Sequence, residues 1–335
     1  MRDGFGRPTE DLRISLTQRC NLTCVFCHME GQPPSDLELT PEEFERCVIA
    51  AKEVGVERVK LTGGEPTLRT DLVEIVRRIA PHVTELSMTT NGIRLAELAR
   101  PLAEAGLERV NISLPSAVPE TYRALTGAPA LPRALEGIRA AKAAGLRPLK
   151  LNVVVLAGIT EDPEQTRAIH AVAEEVDAAI QYIEFENVKG RVDNATFANL
   201  HAELAGIDRR ASEQAFRVET NPLHHRPRYT IAAGSRPLVY EIVRPVNNPE
   251  FCAGCFRIRL TSFGALKGCL MTNEGLVEML PALRKGATPK ELVPYFEEVV
   301  RGRKPFFREE GSMTSVVSHL SVNPRPRGLS RRPGI

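Results

Sequence analysis

The sequence predicts an α/β protein: parallel βα units over most of the chain, followed by a smaller α+β region. Three observations carry that reading. Between Leu12 and Phe185, short β-branched runs alternate with longer stretches of helical apolar spacing, the signature of βα units. Helix start and stop signals fall in the gaps between the runs. Residues able to bind or react cluster at or just past the carboxyl ends of the runs, where parallel α/β folds hold ligands.

Strands are expected at Leu12–Leu16, Arg58–Thr62, Glu85–Thr89, Arg109–Leu114, Lys150–Leu156 and Ile180–Phe185. Between the first two, Thr40-Pro41-Glu42-Glu43 is a capping box with proline at the first helical position. It opens a helix to Glu53, which Gly55 ends. Helices are expected at Asp71–Ile79, Arg94–Ala105, Leu131–Ala144 and Pro163–Val176, each preceding the next strand and spaced for right-handed crossovers. Periodicity alone does not separate a barrel from a doubly wound sheet. After Asn187 the pattern turns polar, with a helix expected at Asn194–Ile207 and strands at Arg217–Glu219, Tyr229–Ala232 and Val239–Val243. The last helix is expected at Pro289–Arg301.

A chain of 335 residues exceeds one typical domain. The expected division is a barrel over 1–190, a second domain over 191–323, and a basic, proline-rich tail over 324–335 that stays disordered. With 44 basic and 42 acidic residues the net charge is +2, which offers no electrostatic case for nucleic acid as a partner. No apolar stretch suits a signal peptide or a membrane span, so the expected location is the cytoplasm, with no membrane partner. Six of the seven cysteines fall in two triplets, a poor disulfide framework and a good set of metal ligands. The seventh, Cys47, shares an apolar helical stripe with Phe44, Val48 and Ala51 and reads as a buried, inert thiol.

The first triplet is Cys20-x3-Cys24-x2-Cys27, directly after the first strand. Three thiolates can hold three irons of a [4Fe–4S] cluster and leave the fourth open to a small molecule. Zinc is the competing ligand, with His28 as its fourth donor, because structural zinc sites close with four ligands. Together with Gly63-Gly64-Glu65-Pro66, the triplet resembles the radical S-adenosylmethionine (SAM) superfamily. That resemblance implies a partial (β/α)6 barrel, SAM chelated on the open iron, and a Gly-Gly-Glu-Pro segment that receives the SAM amino group. By position it implies Gly64, Glu65, Thr89, Asn91, Ser113, Asn152 and Arg191 as the SAM-binding residues.

The second triplet is Cys252-x2-Cys255-x13-Cys269. A zinc ribbon would need another ligand beside Cys269, and Lys267, Gly268, Leu270 and Met271 do not qualify. A second three-cysteine [4Fe–4S] cluster is therefore expected. The run Phe251-Cys252-x2-Cys255-Phe-Arg257-Ile-Arg259-Leu-Thr261, continuing to Cys269-Leu270, resembles the GTP 3′,8-cyclase family of molybdenum cofactor biosynthesis. The resemblance covers nearly all of residues 4–310. It implies a C-terminal α+β domain that closes the barrel and carries the second cluster, whose open iron binds the guanine of GTP. Arg257 and Arg259 would grip the triphosphate. Alternate residues on a strand project the same way, and paired guanidinium forks match phosphate oxygens. Arg13, Arg58, Lys60 and Lys150 fall where the family places further phosphate ligands. A lone cation inside a barrel is costly unless it meets an anion, so several of them predict a polyanionic substrate. Arg58 and Lys150, at strand starts, could equally cap strand ends in solvent.

The resemblance implies no catalytic side chain, since the radical is borne by the cofactor. It implies an electron donor of the flavodoxin or ferredoxin type and allows a homodimer. The chain departs from the family at Phe256, where asparagine is usual, at Pro115 and at Glu186-Asn187. It ends Arg332-Pro333-Gly334-Ile335 rather than Gly-Gly. A related radical SAM enzyme acting on another nucleotide, a nucleoside or a peptide is the alternative reading.

Overall fold

A computed structural model describes residues 1–186, 188, 204–234 and 236–307. Six parallel strands form its centre: β1 (Asp11–Ser15), β2 (Arg58–Thr62), β3 (Glu85–Thr90), β4 (Arg109–Ser113), β5 (Lys150–Val155) and β6 (Ala179–Glu184). The helices between them are α1 (Pro41–Glu53), α2 (Leu72–Ile79), α3 (Leu95–Glu104), α4 (Pro119–Thr126), α5 (Leu131–Ala143) and α6 (Pro163–Val176). Five of these follow the sequence pattern closely. The sixth, α4, was not expected; Pro119 opens it and Gly127, at φ 78°, ends it after only two turns, too short for apolar periodicity to stand out.

The first helix shows how local chemistry sets the boundaries. Thr40 accepts from the Glu43 amide while the Glu43 carboxylate accepts from the Thr40 amide, closing the capping box. Phe44, Cys47, Val48 and Ala51 form its buried face, so Cys47 is core, and burial raises its thiol pKa.

The C-terminal part contributes α7 (Ala205–Gln214), β7 (Ala215–Asn221), β8 (Arg226–Ile231), β9 (Leu238–Val243), α8 (Pro249–Ala253), β10 (Arg257–Leu260), β11 (Ala265–Lys267), β12 (Val277–Glu278), α9 (Leu280–Arg284) and α10 (Pro289–Gly302). Among the described residues, all twelve strands belong to one sheet, ordered β12-β11-β10-β1-β2-β3-β4-β5-β6-β9-β8-β7. Strand β10 pairs parallel to β1, and β9 pairs parallel to β6. The C-terminal segment thus extends both edges of the six-stranded unit and covers backbone groups that would otherwise be unpaired. A division at 190/191 falls among residues outside those described, as do Arg191, most of the helix expected at Asn194–Ile207, and the tail 324–335.

Strand alternation sorts the side chains. Leu12, Ile14, Leu61, Leu86, Met88, Val110, Ile112, Leu151 and Ile258 are buried in the apolar core. Their neighbours Asp11, Arg13, Lys60, Ser87, Arg109, Asn111, Ser113, Lys150, Asn152, Arg257 and Arg259 face a cavity on the opposite side of the sheet. Which face is interior could not be read from the strands singly; the helices decide it by covering the other one.

Candidate active site

The cavity has a volume of about 760 Å³, and every candidate site residue among the described residues borders it. Both cysteine triplets open onto this one space.

The first triplet sits on a loop held from two sides. Thr23 and Val25 donate to the Thr126 and Leu125 carbonyls of α4, and the Cys27 amide donates to the Cys24 carbonyl at 3.1 Å. On the other side, the Gly64 and Glu65 amides donate to the Thr17 and Arg19 carbonyls at 2.7 and 2.8 Å. The approach is so close that a Cβ on Gly64 would lie 2.2 Å from the Arg19 carbonyl oxygen. Two amides of this turn are thereby spent on the cysteine loop, and what the Gly63-Gly64 backbone has to offer an ammonium group is its carbonyls.

Glu65, which borders the cavity, also ties its neighbours together. Its carboxylate is buried and accepts from the Thr67 amide, the Thr67 and Thr90 hydroxyls and the Asn91 amide, at 2.6–3.0 Å. Burial raises its pKa, with these hydrogen bonds opposing. The carboxylate ties the loop after β2 to the loop after β3, so it positions its neighbours. Asn91 gives its side-chain amide to Asn21 at 2.8 Å, Asn152 accepts from Asn111 at 3.4 Å, and Ser113 and Thr89 border the cavity.

In the second triplet Cys252 lies on α8, Cys255 precedes β10 and Cys269 follows β11. Asn248 caps α8 through the Phe251 amide, and the Cys255 amide donates to the Cys252 carbonyl. The Phe251 ring lies 3.9 Å from that of His224. The Phe256 backbone carbonyl accepts from the Glu10 and Asp11 amides, which sets β10 beside β1 whatever the side chain at that position.

The candidate cations all line the cavity but are not left alone. Arg259, Arg13 and Lys60 are register partners on β10, β1 and β2, and Arg257 is the partner of Asp11. Glu30 Oε2 lies 2.8 Å from Arg259 and Oε1 3.6 Å from Arg13, while Asp11 lies 3.3 Å from Arg257. Lys150 pairs with Glu241, which also lies 3.7 Å from Arg226, and Arg58 pairs with Glu10 at 3.0 Å. The expectation of uncompensated interior cations is therefore corrected for all but one. Lys60 is buried, hydrogen-bonds Asn111 at 3.4 Å, and has no carboxylate within 4.0 Å among the described residues. Burial, with Arg109 and Arg13 adding to it, drives its ammonium pKa well below the usual range. Burial would raise the Glu30 carboxyl, but Arg13 and Arg259 reverse this and hold it at about 2.

Glu30, Asp11, Glu241, Arg226 and Arg109 escaped the sequence reading. Asp11 and Arg109 could have been found by stepping two residues along the strand from Arg13 and Asn111. Glu30, three residues past Cys27, carried no comparable signal.

The model of the Radical SAM superfamily matches residues 14–168, and that of Molybdenum Cofactor Synthesis C matches residues 178–308. Similar proteins include one from Thermococcus kodakarensis, 44% identical over 91% of this chain and 99% of its own. A second, from Pyrococcus horikoshii, is 40% identical over 92% of this chain and 99% of its own. Both carry the name "Probable GTP 3′,8-cyclase".

The chain belongs to the GTP 3′,8-cyclase family.

Among solved structures, Streptococcus suis SuiB bound to its precursor peptide SuiA superposes with a TM-score of 0.64 at 17% identity, over 91% of this chain and 69% of SuiB; the likeness is one of fold. As a radical SAM enzyme, this cyclase-family member uses SAM and [4Fe–4S] clusters, and its donor sets fit them. Each triplet presents three thiols to the cavity. Among the described residues no group of three His, Cys, Asp or Glu side chains closes around a single ion, whereas thiolates binding separate irons of a cubane need not do so. His28, the candidate fourth zinc donor, has its Nδ1 accepting from the Glu30 amide at 3.1 Å. Burial and the neighbouring cysteines raise the Cys24 thiol to about 12, and burial raises Cys20, Cys252 and Cys269. Cluster assembly must therefore release protons.

Proposed function

We propose that this chain cyclises GTP to (8S)-3′,8-cyclo-7,8-dihydroguanosine 5′-triphosphate, the first step of molybdenum cofactor biosynthesis. One observation carries the reading: two three-cysteine sets border a single cavity that Arg13, Arg257, Arg259 and Lys60 also line. Cys20, Cys24 and Cys27 would hold the first cluster; Cys252, Cys255 and Cys269 would hold the second. Held at the first triplet, SAM and its cluster would supply the radical chemistry that removes a hydrogen atom from the ribose.

The chain's own residues do the rest by placement. The Gly63-Gly64 carbonyls, with Asn91, Ser113 and Asn152 nearby, receive the polar end of SAM. The cations on β10, β1 and β2 take the triphosphate, leaving the guanine towards the second triplet. Phe185, Phe251 and Phe256, which line the cavity, limit water at the reacting carbon. A one-electron donor of the flavodoxin or ferredoxin type and a homodimer complete the proposal.

The test is to incubate reconstituted enzyme with GTP, SAM and dithionite and to separate the products by mass spectrometry. A product with the mass of GTP but a different retention time, formed together with 5′-deoxyadenosine, is expected. Formation of 5′-deoxyadenosine with no such isomer would reject GTP as substrate, and guanosine assayed in parallel would test the nucleoside alternative.

A further inference from the structure

The segment Met29-Glu30-Gly31 is unusual in its backbone. All three residues have positive φ, at 49°, 53° and 58°, though only one is glycine. Two L-residues in this conformation persist only where their surroundings hold them. What holds them comes from both halves of the chain. The Glu30 carboxylate bridges Arg259 at 2.8 Å and Arg13 at 3.6 Å and accepts from Thr62 at 2.9 Å. The Gly31 carbonyl accepts from the buried Lys267 Nζ at 2.8 Å, and a Cβ at Gly31 would lie 2.6 Å from the Leu270 carbonyl oxygen. The segment therefore joins the loop of the first triplet to the strands leading to the last cysteine of the second.

Glu30 also stands where an anion would be wanted. Arg13 and Arg259 are register partners whose guanidinium groups repel each other, and Glu30 is the charge that lets them sit side by side. A phosphate reaching these two arginines meets a carboxylate already there.

We propose that Glu30 is an internal stand-in for a substrate phosphate: it holds Arg13 and Arg259 together in the empty enzyme and yields them when a polyphosphate arrives, freeing residues 28–31 beside Cys27. Phosphate binding is thus coupled to the loop of the first cluster. The inference rests on the reading of Arg13 and Arg259 as phosphate ligands given under the proposed function.

The experiment uses full-length, reconstituted enzyme and inorganic tripolyphosphate, followed by calorimetry. In Glu30→Gln, which keeps the shape and removes the charge, the dissociation constant should fall by about tenfold, as removal of a like charge next to the bound anion requires. Loss of a merely structural carboxylate would weaken binding or leave it unchanged, and either result overturns the inference. Hydrogen–deuterium exchange on the unsubstituted enzyme gives a second measurement should the variant fold poorly. Tripolyphosphate should raise uptake across residues 28–31, and deeper protection there overturns the inference. If the unsubstituted enzyme binds no tripolyphosphate, the phosphate reading itself fails and the inference falls with it.

Discussion

Arg303 Nε donates to Asp3 Oδ2 at 2.8 Å, with both side chains fully buried. The contact joins the end of α10 to the first residues of the chain. Arg303 also donates to the carbonyls of Arg7, Pro8 and Arg257, while Arg7 pairs with Asp3 and donates to the Cys252 carbonyl at 3.0 Å. The network thus backs the second triplet.

Arg303→Met should unfold the protein at lower denaturant, with a loss of about 3–5 kcal/mol, because Asp3 is left buried with less compensation. Burial pushes the Asp3 carboxyl up, but Arg303 and Arg7 more than offset it and leave it below the usual range. A lowered carboxyl pKa contributes stability above the unfolded value, which is lost as pH falls through the folded value. The parent should therefore lose stability below about pH 4 more steeply than Asp3→Asn, as measured by urea unfolding across pH.

Gly64→Ala should remove the first cluster. Its Cβ would meet backbone oxygens of Arg19 at 2.2 Å and Gln18 at 2.7 Å, and neither can step aside without moving the segment before Cys20. Iron analysis should fall from about eight to about four per chain, with SAM cleavage abolished. Cys269→Ser should also halve the iron yet retain slow release of 5′-deoxyadenosine. Full iron in Gly64→Ala would contradict the packing described.

Lys60→Met should separate stability from function. The buried ammonium has no carboxylate partner among the described residues, so an isosteric apolar chain should leave the melting temperature unchanged or raise it. The KM for GTP should rise at least about tenfold, the loss of one charge-assisted contact. The lowered pKa adds a pH signature. Over an interval below 10.5 the unfolded chain holds a proton that the native chain has released, so this lysine's contribution to stability grows as pH rises there. Lys60→Met should flatten that rise.

Glu186 should act in the opposite sense. Burial, aided by Glu184 and resisted by Arg259, raises its carboxyl to about 7. Between its ordinary value of 4.5 and about 7 the native chain holds a proton the unfolded chain lacks, so stability falls as pH rises through that window. Glu186→Gln should remove this slope in thermal melts. An unchanged slope would mean that other groups set it.

Much of the site was legible because its signals are local. The spacing of Cys20, Cys24 and Cys27 is a property of one loop, and the capping box at Thr40 of one helix turn. Lys60 and Arg58 could be placed on one face by alternation, but not inside or outside. Glu30 was missed because nothing in residues 28–31 announces that a carboxylate there will meet Arg259, which lies 229 positions along the chain. The motif marked Glu65 as a cofactor residue, but it could not show that its carboxylate also gathers four hydrogen-bond donors from Thr67, Thr90 and Asn91, two of them at the end of the next strand or just past it.

By itself the sequence determined the order of the βα units, the two thiolate triplets, and the strands on which cations alternate with apolar residues. These follow from spacing along a few residues, where covalent geometry dictates direction. Only the tertiary structure decided that β10 lies parallel beside β1 and β9 beside β6, making one sheet of two sequence regions. That pairing sets Arg259 next to Arg13, turns both triplets into one cavity, and supplies most of its cations with carboxylates. The reason is physical: interior charges are partnered across strands, and which strands meet depends on how the whole chain buries its apolar faces.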